Sequence, residues 1–368
     1  MSTVSLIKLV KRFEGIAVID LDIPLDLRSG EVLHIVGPPG AGKTVLARMI
    51  AGILPLDDGE IFVDGRLIND DPPATRKIGL MLSEDGLWGH MTVAENVGLG
   101  LKGKGYARRE LHENVEVALG SVRMNSLADQ RIDRLTPGQR RRCALARALA
   151  IGPNMLVLDE PFGSLDASTR DEFRDDLRRI LAEERVTALV LTSNPREALA
   201  MAERIAVLDL GRIIQVGPPL ELYNHPANAL VARFLGNVNL LQGQVEGPGA
   251  RGETVIRTPI GRLIAQTSSS GLAVGTPVTL AIRPEALSIS AQVPAGANRF
   301  PATVERQVFL GEVRQIHLRG PSDWPLLALA LQSQSAGLRE GQSLSVAILP
   351  EYVVVLNPKT QLGERANP

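Results

Sequence analysis

The segment Gly37-Pro38-Pro39-Gly40-Ala41-Gly42-Lys43-Thr44 constrains this chain more than any other. It fits the phosphate-binding loop pattern G-x-x-x-x-G-K-[ST]. An apolar run (Val32, Leu33, Ile35, Val36) leads into it, and a run with helical spacing (Val45, Leu46, Met49, Ile50) leads out. Strand, loop and helix in that order make an anion cradle. Glycines let backbone N–H groups curl around the anion, and the N-terminus of the following helix adds partial positive charge. In such a loop Lys43 reaches the β- and γ-phosphates of a nucleotide, and the Thr44 hydroxyl holds Mg²⁺. Gly37, Pro38, Pro39, Gly40, Ala41, Gly42, Lys43 and Thr44 are all candidate nucleotide contacts. The bland alternative is a glycine-rich turn that binds nothing.

Downstream, Met155-Leu156-Val157-Leu158 precedes Asp159-Glu160. Four apolar residues in a row fit a short strand buried inside a parallel sheet. Two carboxylates then stand at its C-terminal end, where open α/β sheets place their ligand sites. Asp159 would support Mg²⁺. Glu160 would orient or deprotonate an attacking water. A helix-capping turn could also use an Asp-Glu pair, but the upstream loop favours the chemical role.

Between these motifs lies Leu135-Thr136-Pro137-Gly138-Gln139, followed by Arg140-Arg141-Arg142-Cys143-Ala144-Leu145-Ala146-Arg147-Ala148-Leu149. Here the chain resembles the ATP-binding cassette (ABC) transporter ATPases, whose signature LSGGQ opens a helix of this kind. Pro161-Phe162-Gly163-Ser164-Leu165-Asp166 resembles the family's continuation after the carboxylate pair, with Ser164, Leu165 and Asp166 at the D-loop. The likeness runs from about Leu6 to Gly236. It includes Ile78-Gly79, His90 to Asn96, Ile213 to Gly217 and Glu221-Leu222-Tyr223. It implies that Phe13 stacks on the adenine of ATP, the alternative being an ordinary core Phe. It also implies two ATPase subunits sandwiching two ATP molecules. Each site would join one subunit's P-loop to Leu135, Thr136, Pro137, Gly138 and Gln139 of the other.

The departures from the family carry information too. Ser83 stands where the family usually has Gln, and Ser193 (in Leu191-Thr192-Ser193-Asn194) where it usually has His. Ser reaches less far than either and lacks the charge-switching capacity of His. Glu84, beside Ser83, offers a carboxylate that could approach the metal. Pro39 removes a backbone donor from the P-loop. Pro137 replaces the first Gly of the signature, yet Thr136 is a good N-cap and Pro suits the first helical position. The signature helix can therefore still start there. Losing one transition-state donor typically costs roughly a hundred- to a thousand-fold in rate. The two serines thus predict a slow ATPase, the alternative being that another residue or a water substitutes.

The chain has 368 residues, with 40 basic and 41 acidic side chains. That balance implies no general attraction to nucleic acid. Arg140-Arg141-Arg142 reads as a solvated helix face. The lone Cys143 excludes an internal disulfide framework and sits among apolar residues, as a packing group does. Lys8, Lys11 and Arg12 interrupt the first apolar run, so no secretory signal is expected. No apolar stretch of about 18 residues spans a membrane. Any transport role therefore needs separate permease subunits.

Before Gly236, strands alternate with helical segments such as Asp171 to Glu183, which reads as α/β. Trp88 to Leu127 is richer in helix signals. After Gly236 come short alternating runs: Thr254–Ile256, Val278–Ile282, Thr303–Phe309, Val313–Leu318, Ser343–Ile348 and Val353–Leu356. These read as β. Gly275, Ala281, Ile282, Pro284 and Glu285 recur as Gly341, Ala347, Ile348, Pro350 and Glu351, offset by 66 residues. Two related strand–turn–strand units therefore pack in one module. It resembles the TOBE domain of importer ATPases for sugars, polyamines and ferric iron. Its few aromatics and lack of a basic stripe argue against nucleic acid.

The expected fold class is an α/β P-loop NTPase cassette with a helical subdomain, followed by an all-β, OB-like (TOBE) domain. The expected boundaries are residues 1–236 for the cassette (helical subdomain about 86–150) and 237–368 for the tail. The expected function is ATP hydrolysis energising a membrane importer, with ATP and Mg²⁺ as cofactors. Lys43 and Glu160 would act in catalysis, and Thr44 and Asp159 on the metal. Permease subunits, a second ATPase subunit and, indirectly, a solute-binding protein would be its partners, at the cytoplasmic side of the inner membrane. Leu280 to Glu285 lean the solute towards polyamine or ferric iron. A second reading is a catalytically weak partner in a mixed dimer. A third, a soluble ABC protein of repair or translation, lacks the paired cassettes or coiled-coil insert usual there.

Overall fold

The central strands of the first unit are buried on both faces, which is what a parallel sheet sandwiched between helices requires. The computed structural model describes residues 2–102, 106–266, 272–289, 298–335 and 337–356. The chain forms two compact units, Met1–Pro219 and Leu220–Pro368.

In the first unit, an antiparallel sheet runs in the order β2 (Ile16–Asp20), β1 (Val4–Phe13), β5 (Asp58–Val63), β6 (Arg66–Leu67), with β3 (Leu25–Leu27) also on β1. A six-stranded sheet runs β11 (Arg212–Gly217), β10 (Arg204–Asp209), β4 (Val32–Val36), β9 (Thr187–Thr192), β8 (Met155–Asp159), β7 (Ile78–Met81). All its pairs are parallel except β10–β11. Every residue of β8 and β9 is buried, matching their unbroken apolar sequences. The P-loop leaves β4 and enters α1 (Lys43–Ile50), whose Leu46, Ala47, Met49 and Ile50 pack into the core. On the other side, α2 (Val93–Lys102), α3 (Arg108–Ser121) and α4 (Pro137–Ala150) form the expected helical region. Cys143, Ala144 and Leu145 of α4 share a core with Phe173, Leu177 and Ile180 of α5 (Ala167–Glu184). The Cys143 thiol is a packing group, and burial pushes its pKa up to about 12.

The register fixes the site. Val36 pairs with Thr192 and Asp159 with Leu191, so β4, β9 and β8 end in one row. Everything chemical that follows a strand in this unit leaves from that row.

After α7 (Pro219–Asn224) and α8 (Ala229–Leu235), the second unit repeats one design twice. The first sheet runs β14 (Gly261–Gln266), β13 (Glu253–Thr258), β12 (Asn239–Pro248), β15 (Pro277–Ile282), β20 (Val354–Leu356). The second runs β18 (Pro325–Leu331), β17 (Val313–Arg319), β16 (Asn298–Phe309), β19 (Ser343–Ile348). The repeat visible in the sequence covers only the last strand of each lobe and the 3₁₀ turn after it, Pro284–Ala286 and Pro350–Tyr352. The structure extends it to four strands per lobe. The strands β12, β14 and β18 fell outside the runs read from sequence. Both lobes fill one core, in which Leu241, Ile256, Leu280 and Ile282 meet Phe300, Ile316, Leu326 and Ile348. Two buried asparagines at equivalent positions tie the lobes reciprocally. Asn239, opening β12, donates to Leu327 O of β18 (2.8 Å) and accepts from Leu327 N–H (2.7 Å). Asn298, opening β16, donates to Ile264 O of β14 (2.9 Å) and accepts from Ile264 N–H (2.6 Å).

Two stability predictions follow from these features. Asn239→Ala and Asn298→Ala should each cost about 1–3 kcal/mol, because each leaves a backbone N–H and C=O without their partner. Thermal unfolding of the full chain measures this. His34, inside β4, is fully buried, with neither ring nitrogen hydrogen-bonded. Burial drives its pKa down from 6.5 to about 3. The unfolded chain therefore takes a proton below pH 6.5 that the folded chain refuses until about pH 3. Stability from this group is present above pH 6.5 and falls with pH through that window, by roughly 4–5 kcal/mol in total. Denaturant unfolding at several pH values should show His34→Leu flattening that acid limb relative to wild type.

Candidate functional site

The P-loop takes its shape from two glycines that nothing else can replace. Gly42 has φ 101°, and a Cβ there would lie 2.6 Å from Ile19 Cδ1. At Gly37 a Cβ would lie 2.1 Å from the Leu208 carbonyl oxygen. Lys43 is buried and donates to Gly37 O (2.8 Å) and Pro38 O (3.1 Å). Its Nζ lies 3.7 Å from Glu160 Oε1. Burial lowers its pKa, opposed by the nearby Glu160 and Asp159 charges.

Asp159 is completely buried at the end of β8. Its Oδ2 accepts from the Thr44 hydroxyl at 2.7 Å. Its Oδ1 is buried without a hydrogen-bond partner. Burial raises its pKa, offset in part by the Thr44 bond. A buried carboxylate oxygen without a hydrogen-bond donor, beside a hydroxyl, is a donor set that suits a hard divalent cation. Glu160 follows with φ 48°. Its backbone N–H donates to Leu191 O (2.8 Å), which holds the turn onto β9. The structure thus brings Lys43, Thr44, Asp159 and Glu160 together. The Phe13 ring, 44% exposed at the end of β1, is not a core residue.

The signature starts its helix as its residues indicate. Thr136 Oγ1 accepts from Gln139 N–H (3.3 Å), Gln139 Oε1 accepts from Thr136 N–H (3.0 Å), and Pro137 holds the first helical position. Leu135 and Gly138 are buried below this exposed cap. These bonds close within the signature rather than on the P-loop of the same chain. In the D-loop, Ser164 has φ 63°, Leu165 is buried and Asp166 caps α5. Hydrogen bonds from Ser168 and Thr169 hold the Asp166 carboxyl well below the usual carboxylate range. Ser83 is exposed, as is Glu84, and Ser193 is half-buried.

The arginine run departs from the solvated face expected of it. Arg141 is 2% exposed and serves as a clamp. Its guanidinium donates to Leu82 O (3.3 Å), Ser83 O (2.8 Å) and Gly163 O (2.8 Å), and meets Asp85 Oδ1 at 3.0 Å. Arg142 pairs with Asp176 at 2.6 Å. A buried guanidinium is tolerated because its planar fork finds an acceptor for nearly every N–H. Thr192, Asn194 and Glu197 gather beside Glu160, and no sequence motif marks them as site residues. Asn194 caps α6 (Pro195–Met201), with Pro195 first and Glu197 third, a helix-start pattern legible in sequence. Removing the clamp should be costly. Arg141→Met should lose about 2–4 kcal/mol by stranding Asp85 and three carbonyls, whereas Arg142→Met should lose less. Thermal melts of both variants decide it.

Residues 21–163 match the family model described as ABC transporter, and residues 280–356 that of the TOBE domain. The chain is 38% identical over 348 residues to a sulfate/thiosulfate import ATP-binding protein of Ralstonia nicotianae, covering 91% of each chain. It is 37% identical over 360 residues to a spermidine/putrescine import ATP-binding protein of Rubrobacter xylanophilus, covering 97% of this chain and 94% of the relative. To a maltose/maltodextrin import ATP-binding protein of Yersinia pestis it is 35% identical over 354 residues, covering 95% and 94%. A nucleotide cradle, a carboxylate pair and a TOBE domain, collinear with these relatives over nearly the whole chain, make this protein an ATPase of the ABC importer ATP-binding family.

Proposed function

We propose that this chain drives solute import by binding and hydrolysing ATP beside membrane permease subunits, with turnover slowed by its own site. The observation that carries this is the row of strand ends where Lys43, Thr44, Asp159 and Glu160 converge. The ATP phosphates would lie along the backbone N–H groups of Gly40 to Thr44, at the positive end of α1. Lys43 would exchange its bonds to Gly37 and Pro38 for the β- and γ-phosphate oxygens. Phe13 would offer its exposed ring to adenine. Thr44 and Asp159 would hold Mg²⁺, which neutralises phosphate charge during in-line attack. Glu160 would accept the proton of the attacking water. Residues 1–236 are the cassette in this reading and 237–368 the attached β module.

The second ATP-facing element, Leu135 to Gln139, would complete the site of a partner ATPase subunit. A permease pair embedded in the membrane would supply the path, at its cytoplasmic face, with a solute-binding protein feeding it. No described helix is long and apolar enough to cross a membrane. The solute is a small one, with polyamine or ferric iron suggested by the Leu280 to Glu285 stretch. The relatives named above carry sulfate, polyamine and maltodextrin names.

A mixed dimer is favoured over a homodimer by Ser83 and Ser193. A complete partner would supply one fast site, using this chain's signature. The full chain purified alone should therefore hydrolyse ATP slowly, and Ser83→Gln with Ser193→His should raise the rate. Lys43→Ala should weaken ATP binding in titration calorimetry. Brisk turnover by the isolated wild-type chain, abolished by Glu160→Gln, would leave an ordinary homodimeric ATPase instead.

A further inference from the structure

Thr192 is the last residue of β9 and is completely buried between two carboxylates. Its Oγ1 lies 2.7 Å from Glu197 Oε2 and 3.2 Å from Glu160 Oε2. The backbone N–H of Asn194 donates to the same oxygen at 3.1 Å. A hydroxyl has one proton to give and two lone pairs to fill. With both carboxylates ionised, it could satisfy only one, and the other would face an oxygen with no proton between them. A proton on Glu197 resolves this. Glu197 then donates to Thr192, Asn194 fills the second lone pair, and Thr192 gives its own proton to Glu160. Every donor and acceptor is used once.

The surroundings favour that state. Glu197 is buried on α6, and its Oε1 accepts from Asn194 Nδ2 at 2.9 Å. The charged groups facing it are Glu160 and, from α5, Arg170, whose Nε lies 3.9 Å away. Lys43 sits on the other oxygen of Glu160. Burial first, then the Glu160 charge, raise the Glu197 pKa, against the bonds from Thr192 and Asn194 and the Arg170 charge.

We propose that Thr192 and a protonated Glu197 are positioning residues for hydrolysis: the chain Glu197–Thr192–Glu160 pins Oε2 of Glu160 and leaves Oε1, beside Lys43, to meet the attacking water. This rests on the reading of Glu160 as the base. The two serines discussed above lie outside this chain of bonds, so the device orients the base in a site without the usual His.

Single-turnover ATP hydrolysis by the full-length protein across pH tests it, with ATP affinity measured in parallel. Thr192→Val should slow the chemical step roughly tenfold or more with ATP affinity changed less than about twofold, and Thr192→Ser should restore it to within about threefold. Glu197→Gln, a permanently neutral donor, should keep the rate of the protonated wild type within about threefold and lack the fall in rate expected of wild type as rising pH takes the proton from Glu197. Glu197→Ala should be slow. If Thr192→Val fails to fold, the Glu197 pair decides. A Glu197→Gln protein as slow as Glu197→Ala, or a folded Thr192→Val protein as fast as wild type, overturns the proposal while Glu160→Gln remains inactive. Hydrolysis untouched by Glu160→Gln removes the base itself, and the proposal falls with it.

Discussion

The parallel pairing of β4, β9 and β8 is the constraint on which the site depends. Hydrogen bonds in a parallel ladder fix the relative register of three strands that share no loop. Once Val36 lies opposite Thr192, and Leu191 opposite Asp159, segments far apart in sequence must emerge side by side. The apolar strands are what hold that register, since a slip of one residue would turn buried side chains to the wrong face. Hydrophobic burial therefore supplies the precision, and polar residues use it. Asp159 is the clearest case: a carboxylate carried into the interior by the last residue of a fully buried strand.

Much of this was legible in the sequence because each signal is local. The P-loop declares itself within eight residues, and Thr136-Pro137 encodes its own helix start. The strand that carries Asp159 is announced by four apolar residues. What stayed hidden depends on partners distant in the chain. Arg141 looks like part of a charged surface run, because its acceptors near residue 83 and residue 163 become neighbours only after folding. Thr192 likewise carries no mark of its link to Glu160. Asn194 to Glu197 did carry a mark, as a helix cap, but a cap alone does not say which carboxylate lies next to which.

In the tail the situation differs. The repeat was visible where side chains recur at β15 and β19, yet the strands β12, β14 and β18 escaped. The edge strand β18 shows only three inward residues, Leu326, Ala328 and Ala330, and β14 only Leu263 and Ala265, while the central β12 has its alternation broken by Gly243, Gly247 and Pro248. Each of these is a weak periodic signal. Duplication at the level of backbone outlasts duplication at the level of sequence, because alternation and turn geometry tolerate many residue choices.

The asparagines that join the lobes have a further consequence. The strands they grip, β14 and β18, stand at the ends of their sheets. A sheet's free edge offers unpaired N–H and C=O groups to any passing strand. Each asparagine amide imitates one peptide unit and occupies the outward-facing pair of a single edge residue, Ile264 in one lobe and Leu327 in the other. Each lobe thus blocks, with one buried side chain, one hydrogen-bonding position on the other's open edge, where an added strand would have to pair.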